Sequence, residues 1–445
     1  MKPSLRNGLN FIIWLLMLLG VLALGYWVPR IDFTTLFLLY ALVFAGMLFL
    51  GKSLPQPLNW KWVFIAGLIL RISLLFATPN WSEDYIRFLW DGDLLQNGIN
   101  PYLKTPSQLE ASGLNPENAY QIQLFNNLNS PDYYSVYPPL NQALFYIGAV
   151  ASQGLVLNGH LTLKVILILG EIGVFFAFLR IFSLLNINLN KLMFYWLNPL
   201  VILEISNNLH FEGLVLLFLI LSVYFLVTRG VHKSGFFWGV SIGMKLLPLM
   251  LLPTFLSFVK TRKLTSFWLG AFLAFILSFG WLLIDQSWIN FFQSLKLYQG
   301  KFEFNASIYY LFREVGFWIK GYNTIATFTK ILSGVTLIGI LYFSWKKRPK
   351  SDLELVDLWV LIYLIYLIFQ PVVHPWYILP ALGLSLLTER KVFLIWSFAA
   401  VFSYQAYGNA DYHENPLFLL LEYGLVGAGI YLDYFSQKRN SNLAL

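Results

Sequence analysis

Two adjacent carboxylates, Glu83 and Asp84, open the segment of the chain that carries most of its polar chemistry. The segment reads WSEDYIRFLWDGDLLQNGINPYLKTP, and Arg87 and Asp91 follow the pair at helical spacing. A carboxylate can act as a general base, and an arginine can pair with it or contact an anion. Capping or solvation of a helix end is the alternative interpretation, because Asp84 can itself be an N-cap.

Further polar groups stand inside or beside apolar stretches, where ionisable side chains are costly and therefore mark functional sites. They are Glu204, His210 and Glu212 in NPLVILEISNNLHFEG, Lys245 in GMKLLPLMLLP, and His374, Trp376 and Tyr377 in QPVVHPWYILP. Lys245 either reaches an interface with its long stem or remains a buried cation. The His and Glu neighbours supply too few ligands for a metal site, so we expect none. Tyr137 in YYSVYPPLNQ is either an interfacial anchor or a surface for a sugar ring.

The elements that position these residues are membrane helices. Of the 445 residues 58% are hydrophobic and 12% are charged, against roughly 25% charged in a soluble domain. Runs such as Phe11–Val28, Phe33–Leu50 and Phe267–Ile284 approach the length of about 20 residues that spans a bilayer. The composition predicts one all-α polytopic domain over residues 1–445, with about 12–14 transmembrane or re-entrant helices. No internal repeat is visible, which argues against transporters built from duplicated halves.

The absence of cysteine excludes disulfides, thiolate catalysis and cysteine-based metal sites. The net charge of +8 is interpreted as a topology signal, because the basic residues form short clusters between apolar runs. These clusters are Lys2/Arg6, Lys52/Lys61, Lys260–Lys263, Lys346–Lys350, Arg390/Lys391 and Lys438/Arg439. If all are cytoplasmic, both termini are cytoplasmic, and the loops 79–138 and 285–324 and the turn at His374 lie outside.

Two kinds of local structure are expected in addition. The apolar residues between Tyr85 and Leu95 recur at roughly helical spacing and predict an amphipathic helix in the membrane interface. The segments Leu192–Ser206 and Phe236–Val259 contain prolines and charged residues within apolar sequence. They predict re-entrant or broken helices, which membranes tolerate only where protein or water satisfies the backbone.

Five segments resemble the membrane-embedded GT-C glycosyltransferases, and most closely the bacterial mannosyltransferase-like branch related to the GPI and phosphatidylinositol-mannoside mannosyltransferases. They are SEDYIRFLWDGDLLQNGINPY, YSVYPPLNQALF, NPLVILEISNNLHFEG, GMKLLPLMLLP and HPWYILP, from about residue 80 to 380. The chain departs from the commonest pattern in its Glu-Asp pair, where Asp-Asp is expected. A second departure is that two spans precede the one that enters the loop, where many relatives have one.

The resemblance implies an inverting enzyme that moves a sugar, by default mannose, from a polyprenyl-phosphate-linked donor to a lipid, glycan or protein group. It implies that Asp84, or Glu83 next to it, is the general base. The groups it implies for the donor phosphate or lipid-linked sugar are Arg87, Lys245, His374, His210 and Tyr137. Those for the acceptor or sugar are Asp91, Tyr102, Glu212, Trp376 and Tyr377. No cofactor is expected, although a divalent metal stays open.

The resemblance also implies an integral protein of the bacterial cytoplasmic membrane, with its site on the outer face. Two other classes of function stay open from the residues alone. Glu171, Glu204, His210 and Lys245 form an intramembrane relay if the protein is a transporter or flippase of lipid-linked sugars. In a non-catalytic membrane subunit, the Glu83–Asp84 pair is only a helix cap.

Overall fold

The apolar runs fold into helices, because a helix satisfies its own backbone groups inside a bilayer. The structure, a computed structural model, describes residues 3–54, 58–113, 119–259, 261–409 and 411–436. Lys2, Lys260, Lys438 and Arg439, which contribute to the predicted topology, lie outside these ranges. Within them, β pairing is limited to one isolated bridge between Phe304 and Val372.

The α-helices of the first half of the chain are α1 (Pro3–Tyr26), α2 (Phe33–Ser53), α3 (Trp60–Ile72), α4 (Asp84–Gln96), α5 (Pro106–Ala111), α6 (Ala119–Asn126), α7 (Pro139–Ser152), α8 (Val156–Leu185), α9 (Met193–Trp196), α10 (Pro199–Val201) and α11 (Glu212–Val227). Those of the second half are α12 (Val231–Met244), α13 (Leu252–Phe258), α14 (Thr261–Phe279), α15 (Ser287–Lys301), α16 (Ile308–Lys320), α17 (Ile325–Lys347), α18 (Asp352–Phe369), α19 (Leu379–Ser385), α20 (Val392–Ala399) and α21 (Pro416–Tyr431). Short 3-10 or π segments extend or join several of them.

Six helices in the described ranges are long and apolar enough to cross a membrane, which confirms the all-α polytopic class. They lie in Leu5–Tyr26, Phe33–Ser53, Val156–Leu185, Leu264–Leu283, Ile325–Lys347 and Pro416–Ser436. Other helices are shorter; α3, for example, has 13 residues where about 20 are needed to span. The expected total of about 12–14 membrane elements therefore stays a prediction.

Both segments expected to be broken are broken. The helical stretch Pro199–Asn207 and α11 meet at an angle of 113°, so together they form a bent span or a re-entrant loop. Leu209 lies at the bend with a positive φ of 66°, a conformation that a leucine adopts only where the surroundings impose it. Farther along, α12 ends at Met244, Lys245 is extended, and a 3-10 turn over Leu247–Leu251 leads into α13.

A buried ion pair connects α3 to α8. The Arg71 guanidinium lies 2.8 Å from a Glu171 carboxylate oxygen, and both side chains are fully buried. Tyr195 donates to the same carboxylate at 2.8 Å, and Arg71 stacks over the ring of Trp196 at 3.7 Å. Each charge therefore has a partner and further hydrogen bonds, as burial in an apolar medium requires.

The helix predicted between Tyr85 and Leu95 is present as α4, but it is not the amphipathic surface helix that was predicted, because its polar face is buried as well. Every residue from Ile86 to Leu94 is buried, because α7 packs against α4 along its length. Gly92 lets the two helices approach closely, since a Cβ there would lie 2.1 Å from the carbonyl oxygen of Phe145. The polar start of α4 is thus held on a rigid, fully packed element.

Hydrogen bonds join the two long loops to each other and to the His374 turn. Asn100 donates to the Asp285 carboxylate at 3.0 Å, and Asn290 donates to the Tyr102 carbonyl at 2.8 Å. The Phe304 backbone exchanges hydrogen bonds with Pro371 and Val373, each at 2.9 Å. The loops 79–138 and 285–324 and the His374 turn therefore lie on the same side of the molecule.

Candidate active site

Asp84 is the first residue of α4 and keeps part of its side chain exposed. Its carboxylate accepts a hydrogen bond from the Asn129 amide at 3.3 Å and does not cap the helix. Burial raises the pKa of Asp84, with smaller contributions from nearby Glu212 and Glu83, and the Asn129 hydrogen bond and nearby Lys245 oppose the increase. A partly exposed carboxylate with a raised pKa is a suitable general base.

Glu83 has a partner of its own. It pairs with Arg30, from the connection between α1 and α2, and half of its side chain is exposed. Arg30 also donates to the Trp81 carbonyl at 3.2 Å and lies 4.2 Å above the ring of Tyr407. The Glu83 carboxylate is thus occupied by a guanidinium, whereas the Asp84 carboxylate accepts its side-chain hydrogen bond from a neutral amide. The geometry therefore favours Asp84 over Glu83 as the base.

The breaks before α11 and after α12 place an ion pair close to Asp84. Glu212 begins α11, and its carboxylate pairs with the Lys245 amine from the end of α12. The amine also lies 4.0 Å above the ring of Tyr377. Glu212 is buried, whereas 32% of the Lys245 side chain is exposed. Lys245 thus presents a fixed cation that is still accessible to a ligand.

Three rings are stacked behind this cation. The Trp376 indole lies nearly parallel to the His210 imidazole at 3.6 Å and to the His374 imidazole at 4.4 Å. Two rings cannot occupy one face at these distances, so Trp376 lies between the imidazoles. Beyond the stack, Glu204 lies 3.3 Å from His210 and accepts a hydrogen bond from Tyr404. The stack connects the bend before α11 to the turn before α19.

Tyr298, on α15 of the second long loop, closes the site from the opposite side. Its hydroxyl lies 3.2 Å from Nε2 of His374, while Nδ1 of that histidine has no partner among the described residues. Burial, with the nearby Lys245 charge, lowers the pKa of His374 to about 3, so the imidazole is neutral at physiological pH. His374 therefore supplies no positive charge to the site.

Residues 19–261, more than half of the chain, match the family described as alpha-(1→6)-mannopyranosyltransferase, N-terminal domain. The chain belongs to this MptA_B family. No curated protein and no solved structure matches it. The matched region contains Asp84, Glu212 and Lys245, whereas Tyr298 and His374 lie beyond it.

The protein is therefore a glycosyltransferase of a mannosyltransferase family, and the resemblance noted from its sequence segments is confirmed. It acts on a sugar donor and an acceptor, and its apolar helices associate it with a membrane. Among the described residues, no group of three histidine or acidic side chains is arranged to hold a metal ion.

Two residues expected to contact substrate serve the scaffold of the mannosyltransferase instead. Arg87 pairs with Asp91 at 2.7 Å and donates to the carbonyls of Ser130 and Tyr133. Asp91 is fully buried and also accepts hydrogen bonds, from Ser135 at 2.6 Å and from Gln142 at 2.8 Å. This network fixes the second part of the long loop to α4.

Replacement of Arg87 by Met is expected to destabilise the fold by about 3–5 kcal/mol, because it leaves the Asp91 carboxylate buried without its cation. Replacement of Glu83 by Gln breaks a partly exposed pair and is expected to cost about 1 kcal/mol or less. Denaturant unfolding in detergent measures both changes. A loss below about 1 kcal/mol for Arg87→Met would show that the network does not support the fold.

Three further residues that were predicted to contact the substrate are covered by other side chains of the protein. Tyr102 is fully buried, donates to the Tyr137 carbonyl and packs edge-on against Trp281, so it cannot touch a sugar. Both faces of Trp376 are covered by imidazoles, which prevents a sugar from stacking there. His210 is buried behind the indole and is out of reach of a donor phosphate. The sequence could not show these side chains to be covered.

Sequence reasoning missed four residues around Asp84: Arg30, Asn129, Tyr298 and Tyr407. Arg30 follows the first span without any motif, and Asn129 lies in polar loop sequence. Tyr298 lies in the 285–324 loop, which was predicted to be on this side, but no spacing singled it out. Tyr137 was predicted, and it lies half-buried against Phe88 and Phe145.

Proposed function

We propose that the protein transfers mannose from a polyprenyl-phosphate-linked donor to a mannose hydroxyl of a glycan or glycolipid acceptor, with inversion and with Asp84 as general base. We place the reaction at the extracytoplasmic face of the bacterial cytoplasmic membrane. The observation that carries the proposal is the pairing of a partly exposed carboxylate, Asp84, with a nearby accessible cation, Lys245, on one side of a helical membrane protein.

The two groups fit the two charge changes of glycosyl transfer. Asp84 accepts the proton of the acceptor hydroxyl as its oxygen forms a bond to the anomeric carbon. The bond from that carbon to the phosphate oxygen breaks, and the electron pair leaves with the polyprenyl phosphate. Lys245 stabilises the negative charge that develops on this phosphate.

Glu212 and Tyr298 position these groups. Glu212 and the ring of Tyr377 hold the Lys245 amine, which would otherwise sample many rotamers. Tyr298 sets the orientation of His374 through the contact to Nε2. Pre-set charges of this kind need no reorganisation during the reaction, which makes them effective in a site with little water.

The acidic and basic residues of the alternative transport relay form ion pairs and hydrogen bonds with other side chains of the protein. Glu171 is bound by Arg71 and Tyr195, and Lys245 is bound by Glu212. Glu204 accepts hydrogen bonds from Tyr404 and Asn208. No observation among these contacts favours transport over transfer.

Inversion that produces the α(1→6) linkage of the family description requires a β-linked donor. The test supplies the purified protein with β- or α-mannosyl phosphoryl polyprenol, or a nucleotide-linked mannose, and an α-mannoside acceptor. We expect transfer from the β-linked lipid alone, with an α(1→6) product by NMR. Transfer from the nucleotide sugar, or a β-linked product, would contradict the proposal. An Asp84→Asn sample prepared in the same way controls for contaminating enzymes.

A further inference from the structure

A cavity lies between α13 and the carboxyl end of α17, at the end of the molecule opposite to the candidate active site. Helix α17 begins at Ile325, directly after the long loop that contains Tyr298, and its 23 residues carry the chain about 34 Å away from that loop. The cavity has a volume of about 510 Å³, within the range of small-molecule binding sites. This distance separates it from the groups proposed for mannosyl transfer.

The walls of the cavity are mostly apolar and reach the outer surface of the helices. Leu256, Leu341 and Trp345 line it and are between 48% and 68% exposed. Helix α17, which forms one wall, is long and apolar enough to cross a membrane. Trp345 lies near the end of this span, where tryptophan marks the membrane interface. An acyl chain can therefore lie against these walls without leaving the hydrocarbon of the bilayer.

Two polar groups at the cavity are open to a ligand. Ser344 is 2% exposed, and its hydroxyl has no hydrogen-bond partner among the described residues. Arg348 is exposed, donates from Nε to the Trp345 carbonyl at 3.3 Å and forms no ion pair within the described ranges. A buried hydroxyl and a guanidinium without a carboxylate together suit an anion with several acceptor oxygens.

The charge around the cavity favours an anionic ligand. The sequence KKRPK, over residues 346–350, places four basic residues at this end of α17. Of these four side chains, Lys347 alone has a carboxylate within 4 Å in the described part of the chain, that of Asp357 at 3.9 Å. Basic pockets between membrane helices bind the head groups of anionic lipids. A zwitterionic head group gains less from such a cluster, because its own cation offsets its phosphate.

We propose that this cavity binds an anionic phospholipid of the bilayer. The lipid phosphate is bound by Arg348 and the Ser344 hydroxyl, and an acyl chain lies along Leu256 and Leu341. The lipid is distinct from the sugar donor and the acceptor, and the inference does not depend on the proposed reaction. Because the bound lipid contacts both α13 and α17, it should stabilise the folded protein.

The backbone at Arg348 allows its charge to be removed at little cost to the fold. Its φ of 40° lies in the left-handed region, which glycine adopts more readily than arginine, so Arg348→Gly should be about as stable as the wild type without lipid. Arg229→Gly is the matched control, since Arg229 also has a positive φ, of 65°, and does not line the cavity. Arg229 follows the end of α11, which starts in the candidate active site at Glu212. Ser344→Ala removes the unpartnered hydroxyl without breaking a hydrogen bond.

The measured quantity is the unfolding midpoint of the full chain in detergent, alone and with phosphatidylglycerol, phosphatidylcholine or soluble glycerol phosphate. For the wild type we expect phosphatidylglycerol alone to raise the midpoint, by about 4 °C at a concentration about a hundredfold above its Kd. Arg348→Gly should lose most of this rise and Ser344→Ala part of it. Arg229→Gly should keep it.

Three results would overturn the inference. The first is a wild type that phosphatidylglycerol does not stabilise, or that phosphatidylcholine stabilises equally, which would leave the cavity to bulk lipid or to a helix of another protein. The second is an equal loss in Arg229→Gly and Arg348→Gly, which would indicate diffuse attraction to the basic end of the molecule. The third is an equal rise with glycerol phosphate, which would show that the apolar walls play no part in binding.

Discussion

Replacement of Asp84 by Asn is expected to lower the rate of mannosyl transfer by about 10²–10⁴-fold, the range typical of losing a general base. The amide keeps the size of the side chain and its acceptor oxygen for Asn129, but it cannot take the proton from the acceptor hydroxyl. The rate is measured with saturating donor and acceptor. A decrease of less than about tenfold would exclude Asp84 as the base.

Two variants serve as controls for this loss. Asp93→Asn makes the same change on the same helix, where Gln121 donates to the carboxylate at 2.6 Å, and it should change the rate by less than about threefold. Glu83→Gln removes the carboxylate paired with Arg30 and should have a small effect compared with Asp84→Asn. A large loss in Glu83→Gln with none in Asp84→Asn would exchange the roles of the two residues.

The stability of Asp84→Asn separates a catalytic from a structural role. The pKa of Asp84 is raised in the fold, so protonation of this group favours folding at low pH, and its ionisation at neutral pH works against folding. A neutral amide avoids that cost. We therefore expect the unfolding midpoint of Asp84→Asn at neutral pH to equal or exceed that of the wild type. A clear decrease would indicate that Asp84 holds the fold together.

Replacement of Lys245 by Met is expected to lower transfer by about 10²–10³-fold, because the leaving phosphate loses its cation. The same change leaves the buried carboxylate of Glu212 unpaired, which costs about 2 kcal/mol of folding free energy. The rate and the free energy of unfolding are measured on the same sample.

The double variant Lys245→Met with Glu212→Gln distinguishes the two effects. Removing both charges should restore most of the lost stability, since no buried charge remains unpaired. It should not restore transfer, because the cation is still missing. Recovery of transfer in the double variant would mean that Lys245 serves only to neutralise Glu212.

The length of the apolar runs was sufficient to predict the all-α helical class. The helices in Phe33–Ser53 and Leu264–Leu283 appear close to the predicted runs Phe33–Leu50 and Phe267–Ile284, because such runs have no other stable state in a bilayer. The breaks near Pro199 and Lys245 were also predictable, since proline and charge interrupt an apolar helix. The burial of α4 was not, because its partner α7 is specified by close packing at Gly92 and not by periodicity.

The candidate site was predictable in part, through residue types that are costly in a membrane. Asp84, Glu212, Lys245 and His374 come together as that reasoning suggested. The roles of Arg87 and Asp91 could not be separated by sequence, since a buried pair and a substrate contact require the same residue types. Tyr298 depends on the fold of a loop that meets the site only through tertiary contacts.

The most direct test of the account measures donor binding and single-turnover transfer on the same Asp84→Asn preparation. A base that acts only on the acceptor hydroxyl predicts a donor Kd within about threefold of the wild type and a transfer rate at least about 10²-fold lower. A transfer rate within about tenfold of the wild type, with the donor bound normally, would contradict the assignment of Asp84 as the base and with it the proposed mechanism.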